Sequence, residues 1–251
     1  DPSDASREIV DLIWFPTGGG KTEAYLGCAA FSLFMRRLRN PRDCGTEVVM
    51  RYTLRLLTAQ QFQRASSLIC AMDTIRARMP DRLGHSSYSI GIWVGGDTTP
   101  NSRDGAASAL SSTKRNGEED YKMVLLKCPW CGAAMGPQKK DGKFGGYDVQ
   151  GVRKVGQDIY LHCPDQACEF KSRLPVEVID EIIYSEPPDY IIATVDKFAS
   201  LAWRPECRHL FGIGDDGERT ASPPGLIIQD ELHLITGPLG SMVGLYEALI
   251  D

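Results

Sequence analysis

The sequence predicts an α/β fold, a parallel sheet flanked by helices, and three observations carry this. Short apolar runs alternate with helix-length runs, the rhythm of strands joined by right-handed crossovers. A Gly-rich turn joins the first such strand to the first helix. A late apolar run ends in two adjacent carboxylates, where a parallel sheet presents its ligand-binding groups. The 251 residues suffice for one large domain, or for a domain with a small insert.

The elements follow in order. Glu8–Phe15, EIVDLIWF, reads as a buried strand. Thr22–Arg39 reads as a helix ending near Asn40-Pro41, apolar on nearly every face at first, and so expected to pack inside the domain. Glu47–Met50 is a second strand. Gln60–Met79 is an amphipathic helix with Phe62, Ala65, Ile69, Met72 and Ile75 along one face. Tyr88–Val94 is a third strand, ending at Gly95-Gly96. The polar stretch Asp97–Gly117 reads as a loop. Residues 120–175 read as an insertion, with a Gly-rich turn at Lys139–Gly146 and a short alternating strand at Asp158–His162. The alternation returns with strands at Tyr190–Thr194 and Gly225–Gln229, separated in part by a loop at Gly212–Pro224. No internal repeat is found.

Composition bounds the function. Hydrophobic residues are 42% and charged residues 24%, an ordinary globular balance. A net charge of -5 excludes a globally basic nucleic-acid binder, so any DNA contact must use a local basic face. The segment Lys114–Lys154 is such a region, with nine Lys or Arg against five Asp or Glu. No apolar run approaches a bilayer's thickness, so no membrane partner is expected. The opening DPSDASRE has no signal-peptide pattern. Of eight cysteines, Cys28, Cys44, Cys70 and Cys207 stand singly. Cys28 and Cys70 lie in apolar helical patterns and are expected in the core. With no secreted-type framework, a reducing, cytoplasmic location is expected.

Pro16-Thr17-Gly18-Gly19-Gly20-Lys21-Thr22 follows a strand and opens a helix, the context a phosphate-binding loop needs. Thr17, Gly18, Gly19 and Gly20 let backbone N–H groups close around the phosphates of ATP, beside a helix N-terminus. Lys21 can reach the β- and γ-phosphates, and the Thr22 hydroxyl can ligate Mg²⁺. Phe15 replaces the first glycine of the general pattern. Leu226–His233, LIIQDELH, supplies the acids: Asp230 would face the Mg²⁺ held by Thr22, and Glu231 would deprotonate the attacking water. Alone, an Asp-Glu pair after a strand also fits an exposed turn. His233 is a further catalytic candidate or a polar strand-end residue.

Cys128-Pro-Trp-Cys131 and Cys163-Pro-Asp-Gln-Ala-Cys168 are separated by 31 residues. Four thiolates at this spacing can close a tetrahedral zinc shell of structural type; two disulfides or free thiols are the alternative. His162 should point away from Cys163 on a strand. The basic residues around the site fit nucleic acid, a partner subunit, or solvent.

PTGGGKTE together with DELH resembles the first RecA-like lobe of superfamily 2 DExH helicases. The resemblance implies a RecA-like P-loop NTPase domain over 1–119 and 176–251, with a zinc-ribbon-like insertion at 120–175. It places Arg51, Thr53 and Arg55 in one DNA-backbone contact motif, Gly95 and Gly96 in a second, and Thr194 and Lys197 in a third. From the residues alone, Arg51 and Arg55 read as a solvated face. The phrases RYTLRLLTAQQF, WVGGDTTPN and IIATVDKFA, with the Cys-rich insert, resemble the helicase of the DISARM phage-defence system. That likeness implies ATP hydrolysis coupled to DNA, single-stranded or with overhangs, and a partner subunit of a defence complex. It also implies a second RecA-like lobe in the same polypeptide, supplying an arginine finger, without which this lobe is expected to be nearly inactive. The other class left open is a non-enzymatic, zinc-bearing interaction module whose phosphate loop acts as a switch.

Overall fold

Parallel pairing organises the protein. In the computed structural model, residues 20–52, 55–139, 147–156 and 158–230 are described. Among the described residues, five strands form one all-parallel sheet: β1 (Val48–Tyr52), β2 (Ile90–Trp93), β7 (Val176–Glu177), β8 (Tyr190–Thr194) and β9 (Leu226–Gln229), in the order β7-β2-β8-β1-β9. The predicted strand at 8–15 and the turn at 140–146 lie outside the described residues.

Helices α1 (Lys21–Arg39), α2 (Arg55–Arg78), α3 (Pro80–Leu83), α4 (Arg103–Asn116) and α5 (Asp180–Ser185) complete the main elements. Period-two alternation explains how they share the sheet. On β1, Val48, Met50 and Tyr52 join a cluster with Ala29, Leu33, Phe62 and Ile69 of α1 and α2. Val49 joins the opposite cluster, with Trp93, Ile191 and Ala193 against Tyr184 of α5 and Phe198 and Leu210 of the 3₁₀ segments Val195–Ala202 and Pro205–Phe211. Among the described residues, no helix is long and apolar enough to cross a membrane.

Buried ion pairs staple α1 to the amino ends of the strands. Arg37 Nη2 lies 2.8 Å from Asp189 Oδ1, and Arg36 Nη1 lies 3.0 Å from Glu47 Oε2. The residues between Cys128 and Cys168 carry two antiparallel hairpins, β3 (Gly136–Lys139) with β4 (Tyr147–Gln150) and β5 (Val152–Val155) with β6 (Asp158–Leu161). Their buried residues, including Met135, Ile159 and Leu161, belong to the same apolar cluster as Ile90, Ile92 and Val176 of the sheet.

Three expectations are corrected. The stretch 97–117 is not all loop, because α4 occupies Arg103–Asn116. Ser102 caps it by accepting a hydrogen bond from Gly105 N, Asp104 lies in its first turn, and Lys114 and Arg115 lie in its last. Those charges complement the helix dipole. Secondly, α1 is not enclosed: Ala24, Gly27, Cys28 and Phe31 line a shallow hollow beside Gly225 and Leu226, and Phe31 is 69% exposed. Cys28 is therefore exposed, whereas Cys70 is buried as expected. Thirdly, Ile75 departs from the buried face of α2 and is 39% exposed.

Candidate nucleotide site and metal centre

The amino end of α1 and the carboxyl ends of β1 and β9 meet in one place. Gly20, the residue before α1, takes a left-handed conformation (φ 76°) that glycine adopts without a Cβ penalty. Gly20 has no side chain with which to cap this helix end. The register pairs Arg51 of β1 with Gln229 of β9, and Asp230 N then donates to Arg51 O at 3.2 Å. Asp230 thus follows directly on the strand. Its Oδ1 lies 3.6 Å from Lys21 Nζ, with Asp230 buried and Lys21 partly open to solvent. Two residues about two hundred positions apart thus meet, whereas the sequence reading set Asp230 facing magnesium on Thr22.

A polar cluster that sequence reasoning missed lies beside them. The Tyr25 hydroxyl sits 3.3 Å from Thr22 Oγ1, 2.9 Å from the Tyr52 hydroxyl and 3.1 Å from Gln61 Oε1. Burial pushes both phenols up from their ordinary range, so both stay protonated at neutral pH. The spacing of Thr22 and Tyr25 on one helix face was a usable signal. Nothing local marked Tyr52 or Gln61, which arrive from β1 and α2.

Thr17, Gly18, Gly19, Thr53, Glu231 and His233 lie outside the described residues. Arg55 opens α2. Arg51 points to the sheet face opposite Tyr52, buried at 8% exposure, with its guanidinium 5.6 Å from the Phe198 ring centroid. Thr194 ends β8 and is buried. Lys197 Nζ is 2.5 Å from the buried Asp180 Oδ2. Gly95 and Gly96 form the turn after β2; Gly95 O accepts from Thr98 N, and Gly96 O accepts from Lys122 Nζ at 2.8 Å. The seven predicted nucleic-acid positions thus follow or end β1, β2 and β8, but Arg51, Thr194 and Lys197 are engaged or buried inside the protein.

The metal centre is built from two turns. In the first, Cys128 N donates to Ala133 O and Gly132 N to Cys128 O. In the second, Cys163 N donates to Phe170 O and Ala167 N to Asp165 Oδ1. The Trp130 and Phe170 rings meet edge to face at 5.7 Å between the turns. The four Sγ atoms all lie within 4.8 Å of one another, with Cys128–Cys168 at 4.0 Å and Cys131–Cys163 at 3.4 Å. Sulfurs around a tetrahedral zinc at 2.3 Å stand about 3.8 Å apart, so the cluster fits that ion. All four cysteines are free of disulfides. Burial pushes the Cys168 thiol up to about 11 and raises Cys163 as well, so a cation is needed to hold them as thiolates. His162 stays outside the cluster, its Nδ1 2.9 Å from Cys163 O. Ser67 of α2 donates to Pro129 O at 2.7 Å and ties the first turn to the main fold.

No protein-family model matches the chain. Across 288 aligned positions it is 39% identical to the DISARM protein DrmA of Bacillus paralicheniformis (strain ATCC 9945a / NCIMB 11709 / CD-2). The alignment takes in 100% of this chain but only 25% of that relative, so the chain spans about a quarter of the curated protein it matches. Along its entire length this chain is similar to one quarter of the DISARM protein DrmA.

Proposed function

We propose that the chain is the ATP-binding lobe of a DNA helicase or translocase acting in DISARM phage defence. In this reading, residues 1–119 and 176–251 form a RecA-like P-loop domain and residues 120–175 a zinc-ribbon-like insertion. The observation that carries it is the meeting of Lys21 and Asp230 at 3.6 Å, beside a helix that starts after Gly20, the last glycine of the sequence Gly18-Gly19-Gly20. A lysine, a hydroxyl and a carboxylate at the carboxyl ends of parallel strands suit a nucleotide phosphate and its metal.

Each residue has a role. Lys21 would leave Asp230 for the β- and γ-phosphates. The Thr22 hydroxyl and the Asp230 carboxylate are hard oxygen ligands and would hold magnesium, which when bound neutralises charge on the phosphate oxygens. Glu231 would take the proton of the attacking water, with His233 beside it. An arginine from a second RecA-like lobe would supply the remaining charge, an effect worth about 10³–10⁵ in rate. The DNA reading uses the rim of β1, β2 and β8. It requires the Arg51–Phe198 and Lys197–Asp180 contacts to open, or leaves the grip on backbone to Arg55 and the Gly95-Gly96 turn. A partner subunit of the defence system is a further contact of the complete protein in this reading.

The test uses two variants of the complete protein. Lys21→Ala should lose both ATP binding and turnover, because it removes a charge that touches the ground state. Glu231→Gln should keep binding and lose turnover, because it removes the base and preserves shape. Wild-type turnover by Glu231→Gln would refute the base. Absence of ATP binding by the wild type would leave the zinc-bearing interaction module as the reading.

A further inference from the structure

We infer that Tyr25 is a positioning residue that sets the Thr22 hydroxyl for magnesium, and that Gln61 fixes the direction of the Tyr25 proton. This rests on the nucleotide reading above. A phenol has one proton to give and oxygen lone pairs to receive. Three groups stand within hydrogen-bonding reach of the Tyr25 oxygen: Thr22 Oγ1 at 3.3 Å, the Tyr52 hydroxyl at 2.9 Å and Gln61 Oε1 at 3.1 Å. Gln61 Oε1 can only accept, so it takes the Tyr25 proton. The Tyr25 hydroxyl is also placed to donate to Thr22 Oγ1, but its one proton cannot serve both. With that proton on Gln61, the Thr22 hydroxyl must turn its own proton toward Tyr25, and Tyr52 is left to donate as well.

The consequence falls on Thr22. Its proton turns toward Tyr25, and its lone pairs are left for a cation. A hydroxyl that donates to a neighbour is also a more basic ligand, the logic by which outer partners orient and tune metal-binding groups. The Thr22 contact is the longest of the three, so it tightens without disturbing the shorter two. Tyr52 comes from the end of β1 and Gln61 from α2, so the Tyr25 hydroxyl is held by two elements independent of the phosphate loop. The count also makes a reverse prediction. Without the Gln61 acceptor, the Tyr25 proton swings to Thr22 Oγ1 and occupies the lone pair the cation needs.

The experiment measures ATP affinity of the complete protein in magnesium and in EDTA, for wild type, Tyr25→Phe and Gln61→Leu. Wild type should bind more tightly in magnesium. Each variant should lose on the order of tenfold of the magnesium-dependent affinity, while affinity in EDTA and the melting temperature stay as in wild type. Manganese, which binds oxygen ligands more readily, should restore part of the loss. Unchanged magnesium affinity in both variants would overturn the inference, and so would an equal loss in the two buffers. In either case the nucleotide reading would stand. Wild type that bound no ATP in either buffer, as Lys21→Ala should not, would overturn that reading and this inference together.

Discussion

Asp189 joins three elements through one side chain and its own backbone. Its Oδ1 meets Arg37 of α1, its Oδ2 accepts from Ser89 N just before β2, and its carbonyl accepts from Glu47 N and Val48 N at the start of β1. Both members of the ion pair are almost fully buried. A buried pair can contribute little net stability against an apolar pair, yet removing one member leaves a charge without compensation. Asp189→Ala should therefore cost about 3–5 kcal/mol, measured by urea unfolding. The double variant Arg37→Leu with Asp189→Leu should cost less than Asp189→Ala alone. A double variant at least as damaging as the single would show that the pair stabilises the fold in its own right. Residue-scale chemistry was legible in the sequence where spacing carries it, as in the four clustered cysteines. Arg51 was not legible. Alternation says that Arg51 and Tyr52 face opposite ways, but nothing local says which face α1 covers.

Helix α4 shows where element-scale reading fails. Its sequence, RDGAASALSSTKRN, has few large apolar residues, and only Ala106 and Thr113 are buried. Serine and threonine favour loops because their side chains compete for backbone groups. Here Ser111 and Thr113 instead donate to the carbonyls four residues back, Ala107 and Ala109, and remain within the helix. Ser102 is a helix-start signal, but no apolar stripe follows it. The cap should matter more than usual in a helix that buries so little. Ser102→Ala should cost about 1 kcal/mol, while Ser102→Asp should be nearly neutral. A thermal melt that did not separate these variants would remove the cap from the account. The described strands and most of α1 and α2 were legible because periodicity and burial agree in them. The apolar face of α1 and Ile75 of α2 misled, since apolar composition does not require that every such position be covered.

At the scale of the whole molecule, the metal centre and the sheet share one core. Buried residues run without a break from Met123, Leu125 and Met135 around the cysteines to Ile90, Val176 and Tyr190 of the sheet. Metal-binding free energy at such a site is folding free energy. Reduced protein should contain one zinc per chain, and stripping it with a chelator should lower the main melting transition itself. Cys128→Ser should do the same. A separate low-temperature transition with the main one unmoved would show the insertion to be an independent unit. The continuity could not be read from sequence, because residues 120–175 stand out there as a polar, basic interruption and their few apolar positions do not announce what they pack against.

The parallel ladder also acts as a ruler. Because β1 and β9 pair residue by residue, with Arg51 opposite Gln229, the position of Asp230 is counted from the same ladder that places Tyr52. Slipping β9 by one residue would move its end by about 3.3 Å and turn Asp230 to the face where Arg51 now lies. By contrast, the chain carrying the hairpins leaves after β2 and returns as β7, at the edge of the sheet farthest from β9. Closing a longer excursion there costs entropy only as the logarithm of its length. This chain can therefore lengthen or shorten its cysteine-bearing segment over evolutionary time without recounting the distance between its lysine and its aspartate.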